Sequence, residues 1–277
     1  MITGAATKSG IVGWPVEHSR SPRLHGWWLQ LYGVDGVYVP LPVQPADLET
    51  AIRALPKLGF AGCNVTLPHK QAMLRVVDEI DPVAERIGAI NTVVVGPDGR
   101  LTGSNTDAFG FIEALREAAP NWRPTGPCVV LGAGGAARAV VVALLDAGAS
   151  ELRLLNRTRA KAEALAALDP RVAVIDWRER AAALADAALL VNTTSLGMIG
   201  NDELDLTLDD LPSTALVNDI VYTPLYTSLL DRAMARGNRI VDGLGMLLHQ
   251  ARPGFAAWFG VQPAVSADQR HYVLEQD

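Results

Sequence analysis

The chain has 277 residues, of which 49% are hydrophobic and 19% charged, and its formal net charge is −6. This size suits two domains or one large one, and an acidic chain with no basic run argues against nucleic-acid binding. No apolar stretch approaches the roughly 18 residues of a membrane-spanning helix, and the N-terminus lacks a signal-peptide layout. The two cysteines, Cys63 and Cys128, form neither a metal-binding spacing nor a disulfide framework. We therefore expect a cytoplasmic protein with no bound metal.

The first hundred residues alternate between strand and helix patterns. Apolar runs predict strands at residues 10–13, 37–43, 59–65 and 89–95. Prolines in the second run indicate an edge strand. A predicted helix carries one apolar face, made of Leu24, Trp27, Trp28 and Leu31. Because this part has no glycine-rich phosphate loop, we predict a separate α/β domain.

The rest of the chain repeats strands and helices more regularly. A helix that follows residue 107 is predicted to have an apolar face made of Phe109, Ile112, Leu115 and Ala119. Later strands are predicted at residues 129–131, 152–155, 172–175, 189–191, 215–221 and 239–241. Helical patterns between them imply a parallel sheet wound on both faces. A last amphipathic stretch runs from Gly243 through Phe259, and residues 264–277 have only a weak pattern.

A glycine motif typical of dinucleotide binding follows the strand at residues 129–131. Gly132, Gly134 and Ala137 fit G-x-G-x-x-A. The first allows a tight turn, the second lets a pyrophosphate approach the backbone, and the third lets helix and strand pack closely. The helix N-terminus would present free N–H groups to the phosphates. An ordinary strand-to-helix turn is the alternative. The predicted cofactor residues here are Gly132, Ala133, Gly134, Gly135 and Ala136.

The end of the next strand favours NADP over NAD. An NAD site usually has Asp or Glu there, whereas this chain has Asn156, Arg157 and Thr158, with Lys161 nearby. A carboxylate would repel a 2′-phosphate, and Arg can bind it through two charge-assisted hydrogen bonds. The alternative is a solvated, Arg-rich helix start.

Taken together, the motifs resemble those of the shikimate dehydrogenase family, in the family's order and over nearly the whole chain. They are residues 18–22 (HSRSP), 64–70 (NVTLPHK), 88–92 (GAINT), 105–107 (NTD), 132–137, 156–158, 192–195 with Gly197 and Met198, Tyr222 with Pro224, and 242–246 with Gln250. Two positions depart from the family. Gly26 stands where Asn often follows the His of the first helix, and Ala108 stands where Gly commonly follows Asn-Thr-Asp.

The resemblance implies a fold with two α/β domains. A substrate-binding domain would occupy residues 1–106, and a Rossmann-type NADP-binding domain with a parallel sheet would occupy residues 107–242. A C-terminal helical segment, residues 243–277, would pack back on the first domain. The implied activity is the reversible NADP-dependent reduction of 3-dehydroshikimate to shikimate, in the chorismate branch of aromatic amino acid biosynthesis. The implied partners are this substrate and NADP alone, with a monomer or homodimer as the assembly.

The family mechanism uses a lysine, which here is Lys70, with Asp107 beside it across a cleft between the domains. A desolvated lysine can lose its proton, whereas an arginine effectively cannot. Lysine is also scarce in this Arg-rich chain. The alternatives are a solvated Lys70 and an Asp107 that only caps a helix.

Further site residues follow from the resemblance. Hydrogen bonds to the substrate are expected from Ser19 and Ser21 to its carboxylate, and from Asn64, Thr66, Asn91 and Gln250 to its ring hydroxyls. Asn192, Thr194 and Ser195 would lie past a strand end beside the cofactor. Tyr222, Gly243 and Met246 would line the nicotinamide and substrate cleft. No histidine is assigned a role.

Two other functions stay open at this stage. A quinate/shikimate or aminoshikimate dehydrogenase would share the fold and chemistry, although quinate-using NAD enzymes of the family tend to carry an acid at the Asn156 position. A ligand-sensing homologue without catalysis could lose Lys70 or Asp107, and this chain keeps both.

Overall fold

The computed structural model describes residues 2–275 of the chain. They divide into two compact units. The first unit runs to Thr106 and resumes at Gln250, and the second unit is Asp107–His249. The chain therefore enters the second unit once and returns to the first for its C-terminal residues.

The first unit is built on a mixed six-stranded sheet. Its strands are β1 (Thr7–Gly13), β2 (Gly36–Pro42), β3 (Phe60–Val65), β4 (Glu79–Ile80), β5 (Thr92–Val95) and β6 (Leu101–Ser104). Its N-terminal helices are α1 (Ser21–Leu31), α2 (Leu48–Ala54) and α3 (Pro82–Ile87), with 3₁₀ turns at Pro45–Asp47 and Ala72–Arg75. The strand order is β2-β1-β3-β5-β6-β4. The proline-containing β2 lies at the edge, as predicted.

Local signals in the first unit fix the segment that leads to Asn91. The side chain of Asp81 caps α3 by accepting from the N–H groups of Val83 (2.8 Å) and Ala84 (3.3 Å). Gly88 ends the helix at a φ of +73°, a left-handed conformation that costs glycine little. The chain then enters β5, which pairs antiparallel with β3 so that Thr92 lies opposite Asn64.

The second unit is a doubly wound sheet whose strand pairs are all parallel. Its strands are β7 (Cys128–Leu131), β8 (Leu152–Leu155), β9 (Val172–Ile175), β10 (Leu189–Asn192), β11 (Leu216–Asp219) and β12 (Arg239–Val241). Its helices are α4 (Asp107–Ala118), α5 (Gly135–Asp146), α6 (Arg159–Ala166) and α7 (Ser228–Ala235), with 3₁₀ turns at Trp177–Glu179 and Ala182–Leu184. The order β12-β11-β10-β7-β8-β9 reverses direction between β7 and β10. Ligands of such sheets bind at the carboxyl ends of the strands beside this reversal.

Two helices complete the chain. The helix α8 (Gly243–Phe259) begins in the second unit and, from Gln250 onward, belongs to the first, where the Trp258 indole donates to the Val93 carbonyl at 3.0 Å. The helix α9 (Ala267–Leu274) forms in the region of weak sequence pattern. No helix among residues 2–275 has the length and hydropathy to cross a bilayer. The predicted fold class is confirmed: two α/β sheets, a parallel second sheet and a final helix that returns to the first unit.

Two predicted helix faces are wrong in detail. Leu115 and Ala119 are buried as predicted, but Phe109 is 41% exposed, and α4 buries Ala108 and Phe111 in its place. The helix α4 contacts α5, and packing against neighbouring elements, rather than hydrophobicity alone, decides which side of a helix is buried. Leu31, the last residue of α1, is 57% exposed.

Candidate active site

The glycine turn of the second unit has the backbone that its motif requires. Gly132 follows β7 with a φ of +106°, and a Cβ there would lie 2.6 Å from Thr193 Oγ1. Gly134 is the N-cap of α5, where a Cβ would meet no atom within 4 Å. Ala137 is fully buried. The turn is therefore tight on its inner side and open where a ligand would approach.

The start of α5 is suited to an anion. The first N–H groups of a helix have no intrahelical acceptor, and Gly134 offers them no side-chain cap. The first turn, which includes Gly135 and Ala136, carries no acidic residue. A phosphate group would find both hydrogen-bond donors and the positive end of the helix dipole here.

A pocket of about 320 Å³ joins this turn to the ends of β8 and β10. Its lining residues are Gly132, Ala133, Gly134, Asn156, Arg157, Thr158, Lys161, Trp177, Thr193, Thr194 and Ser195. Nine of the predicted cofactor residues thus line one pocket, and none of the lining residues is acidic. Thr193 belongs to the motif at residues 192–195 but was given no role there, and Trp177 was not predicted as a site residue. The sequence signal of Trp177 is position alone, since it lies just past the carboxyl end of a parallel strand.

Two cations at the β8 end are available to a ligand. Asn156 is engaged locally, because its Nδ2 donates to the Thr158 carbonyl at 2.8 Å. Arg157 and Lys161 are exposed, and neither side chain has a hydrogen bond or ion pair within residues 2–275. Arg159, in the first turn of α6, is by contrast paired with Glu163 at 2.8 Å.

A buried carboxylate holds the loop that follows β10. Asn192 Nδ2 donates to Asp219 Oδ1 and to the Leu196 carbonyl, both at 3.1 Å. Asn192 Oδ1 accepts from the Thr194 N–H at 3.0 Å and from its hydroxyl at 2.7 Å. Burial raises the pKa of Asp219 above its usual range. Asp219, which the sequence reading missed, therefore fixes Asn192, and Asn192 shapes the Thr194 side of the pocket.

The remaining predicted residues of the second unit lie outside this pocket. Tyr222 comes three residues after β11 and is half-buried. A Cβ on Gly243 would lie 2.3 Å from the Ile220 carbonyl oxygen, so the close approach of α8 to that backbone requires glycine. Met246 is 8% exposed on the same helix, and Asp107, 7% exposed, begins α4.

In the first unit, Asn64 is the centre of a buried polar cluster. Asn64 Nδ2 donates to the Asn91 carbonyl at 3.1 Å and to Thr92 Oγ1 at 3.2 Å. Its Oδ1 accepts from the Tyr38 hydroxyl at 2.7 Å. Burial raises the pKa of Tyr38 well above its usual value, so the hydroxyl keeps the proton it donates.

The amide of Asn91 is oriented by its neighbours. Its Oδ1 accepts from the Thr106 N–H and from Thr92 Oγ1, each at 2.9 Å. Its Nδ2 is left to donate, and one acceptor is Gln250 Oε1 at 3.3 Å. Asn105 Nδ2 holds the same segment by donating to the Ala89 carbonyl at 2.9 Å. The motifs around residues 91, 105 and 250, far apart in sequence, therefore form one network.

Lys70 lies at the end of a turn that β3 leads into. The Thr66 N–H donates to the Val12 carbonyl at 2.8 Å, and the Thr66 carbonyl accepts from the His69 N–H at 2.9 Å. The Lys70 carbonyl accepts from the Ile90 N–H at 2.8 Å, which joins the turn to the residue before Asn91. The Lys70 side chain is half-buried.

The loop that carries Ser19 leads into α1 in the same unit. Ser21 begins α1 and is 5% exposed, and its N–H donates to Ser19 Oγ at 3.3 Å. The structure thus brings together, within the first unit, the predicted residues Asn64, Asn91 and Gln250. Ser19 and Ser21 lie at the start of α1, and Thr66 and Lys70 lie on the turn after β3. Within residues 2–275, no group of three His, Cys, Asp or Glu side chains could hold a metal ion.

Comparison with known proteins gives consistent matches. Residues 11–93 match the family described as the shikimate dehydrogenase substrate binding domain. The shikimate dehydrogenase (NADP(+)) of Paramagnetospirillum magneticum is 63% identical over 99% of this chain and 100% of its own length. The structure of shikimate 5-dehydrogenase from Thermus thermophilus, in complex with NADP(H) and shikimate, is 36% identical. Its TM-score is 0.86, and the match covers 96% of this chain and 98% of that one. Quinate dehydrogenase from Corynebacterium glutamicum, in complex with NAD, is 34% identical with a TM-score of 0.91, over 97% and 99% of the two chains.

Proposed function

This chain belongs to the shikimate dehydrogenase family, and from that membership we propose how its residues carry out the reaction. It is an oxidoreductase that interconverts shikimate and 3-dehydroshikimate with NADP. We propose that the first unit, which includes the chain from Gln250 onward, holds the substrate and that the second unit holds the cofactor. We further propose that the protein acts in the cytoplasm as a monomer or homodimer.

The observation that carries the cofactor assignment is the pocket at the end of β7 and β8. Its glycine turn is open to a pyrophosphate, and it is lined by Arg157 and Lys161 but by no carboxylate. Such a donor set fits the 2′-phosphate that distinguishes NADP from NAD. When bound, NADP⁺ accepts the hydride that leaves the carbon bearing the hydroxyl. Gly243 and Met246 are proposed to contact its nicotinamide end.

The substrate assignment is supported by the buried polar cluster of the first unit. The side-chain amides of Asn64 and Asn91 have fixed orientations, because each Oδ1 accepts a hydrogen bond from the protein, from the Tyr38 hydroxyl and the Thr106 N–H respectively. Polar side chains whose orientation is already fixed recognise ring hydroxyls at little entropic cost. We propose that these amides, with Thr66, Gln250 and Tyr222, bind the hydroxyls, and that Ser19 and Ser21 bind the carboxylate.

Lys70 is the proposed proton carrier. Oxidation of the alcohol releases a hydroxyl proton, and Lys70 Nζ accepts it; in the reverse direction the ammonium returns a proton to the ketone oxygen. Lysine suits this role because its ammonium can be deprotonated, unlike a guanidinium. Asp107 is proposed to hydrogen-bond a hydroxyl of the bound substrate.

Initial rates with two substrates and two cofactors test the proposal. Shikimate and quinate are each assayed with NADP⁺ and NAD⁺ at fixed enzyme concentration, and NADPH or NADH formation is read by absorbance. We expect the highest kcat/KM for shikimate with NADP⁺. Higher kcat/KM for quinate with NAD⁺ would contradict the substrate and cofactor assignments, and no turnover with any pair would contradict an enzymatic function.

A further inference from the structure

Trp177 occupies a position in the pocket that no sequence motif explains. The strand β9 ends at Ile175, and the side chain of Asp176 caps the following 3₁₀ turn by accepting from the Arg178 N–H at 2.9 Å. Trp177 begins this turn and lines the same pocket as Asn156 and Arg157. Any residue could occupy the first position of a capped turn, so the turn alone does not require an indole.

The indole of Trp177 is held in place by its neighbours. It packs against the hydrophobic core of the second unit. The Arg180 guanidinium lies over the ring, 5.6 Å from its centroid. Arg180 is itself fixed, since its Nε and Nη2 donate to the carbonyl and the carboxylate of Asp205, both at 2.6 Å. A ligand that meets this ring therefore orders no flexible side chain, which lowers the entropic cost of binding.

Trp177 is also the one aromatic side chain among the pocket's lining residues. The other lining residues divide between the glycine turn, suited to phosphates, and the hydroxyl, amide and cationic groups of the β8 and β10 ends. A flat heteroaromatic ring gains most from stacking on an aromatic surface. In an adenine nucleotide, the base is attached to C1′ of the ribose, next to the carbon that carries the 2′-phosphate. Trp177 follows β9 and Arg157 follows β8, and these two strands are neighbours in the sheet.

We propose that Trp177 is the stacking platform for the adenine ring of the cofactor. This inference rests on the proposed NADP-binding function and adds to it a residue that recognises the base. It separates recognition into two parts: Trp177 contributes to any adenine nucleotide, and Arg157 contributes only to those with a 2′-phosphate.

The test uses adenosine 2′,5′-bisphosphate and AMP, which lack the nicotinamide, with calorimetry on the full chain. Stacking of a base on an aromatic side chain corresponds to roughly 5- to 150-fold in Kd. Trp177→Leu should raise the Kd of both ligands by the same factor within that range, and Trp177→Phe should raise it less. Trp122→Phe is the matched control, because Trp122 is a half-buried tryptophan of the same unit that does not line the pocket; its Kd values should stay at wild type.

The outcomes separate the inference from the proposed function. If the wild type fails to bind adenosine 2′,5′-bisphosphate, the NADP site itself is wrong. If the wild type binds and Trp177→Leu binds equally well, the stacking role alone is overturned. Should the variants not fold, hydroxyl-radical footprinting of the wild-type chain decides. Protection of the Trp177 peptide by adenosine 2′,5′-bisphosphate supports the role, and unchanged oxidation of that peptide overturns it.

Discussion

Replacement of Arg157 by alanine should weaken the binding of NADP⁺ while leaving the binding of NAD⁺ nearly unchanged. The Arg157 guanidinium lines the pocket and has no protein partner within residues 2–275, so its loss breaks no internal bond. A hydrogen bond to a charged group contributes about 1.5–3 kcal/mol, which is about 10- to 150-fold in Kd. Because Arg157 is exposed and Lys161 remains, we expect the lower end, about tenfold.

The assay is kcat/KM for each cofactor at saturating shikimate. Arg159→Ala is the matched control, since Arg159 lies two residues away but is paired with Glu163 and does not line the pocket. We expect the NADP⁺/NAD⁺ ratio to fall about tenfold in Arg157→Ala only. A ratio within twofold of wild type, or an equal fall for both cofactors, would refute the argument that Arg157 binds the 2′-phosphate.

Two further predictions concern the first unit. Burial lowers the pKa of His25 from 6.5 to about 3, so the unfolded chain binds a proton below pH 6.5 that the folded chain does not. Between pH 8 and pH 5 the wild type should therefore lose about 2 kcal/mol of unfolding free energy more than His25→Phe does, by urea unfolding; an equal loss in both would mean that His25 protonates in the folded state. Ser19→Ala with Ser21→Ala should raise the KM for shikimate more than it lowers kcat, because contacts to a remote carboxylate act alike in ground and transition states. An unchanged KM would remove both serines from the substrate site.

The sequence predicted most where a residue type is required by local geometry. The φ of Gly132 and the absence of an acid after β8 follow from the motif itself, because a turn or a phosphate tolerates few alternatives there. The parallel, doubly wound sheet of the second unit followed from the alternation of strands and helices. Such features depend on residues that are close in sequence, so the amino-acid sequence of one protein is enough to predict them.

The sequence could not predict features that depend on long-range packing. The predicted buried face of α4 was wrong at Phe109. Apolar residues occur on more than one side of this helix, and packing against neighbours such as α5 decides which of them are buried. The helix α9 has little amphipathic pattern. It is held from the N-terminal end of α1, where Arg20 and Arg23 donate to the carbonyls of Val273 and Tyr272.

Three single residues were missed for a related reason. Tyr38, Trp177 and Asp219 carry no motif, and their roles come from partners that only the fold brings near. Tyr38 orients Asn64 from the edge strand, and Asp219 orients Asn192 from the neighbouring strand. A buried polar group needs a partner, but sequence alone does not tell which partner it has.

The central claim, that Lys70 carries the proton, is tested most directly by kcat for Lys70→Arg. Arginine keeps the positive charge and supplies no removable proton. General acid–base catalysis contributes about 10²–10⁴-fold, so kcat should fall by roughly that factor, with a much smaller change in shikimate binding. Lys57→Arg, the same substitution at an exposed position of the same unit, should leave kcat at wild type. A folded Lys70→Arg enzyme with kcat within a few-fold of wild type would contradict the claim.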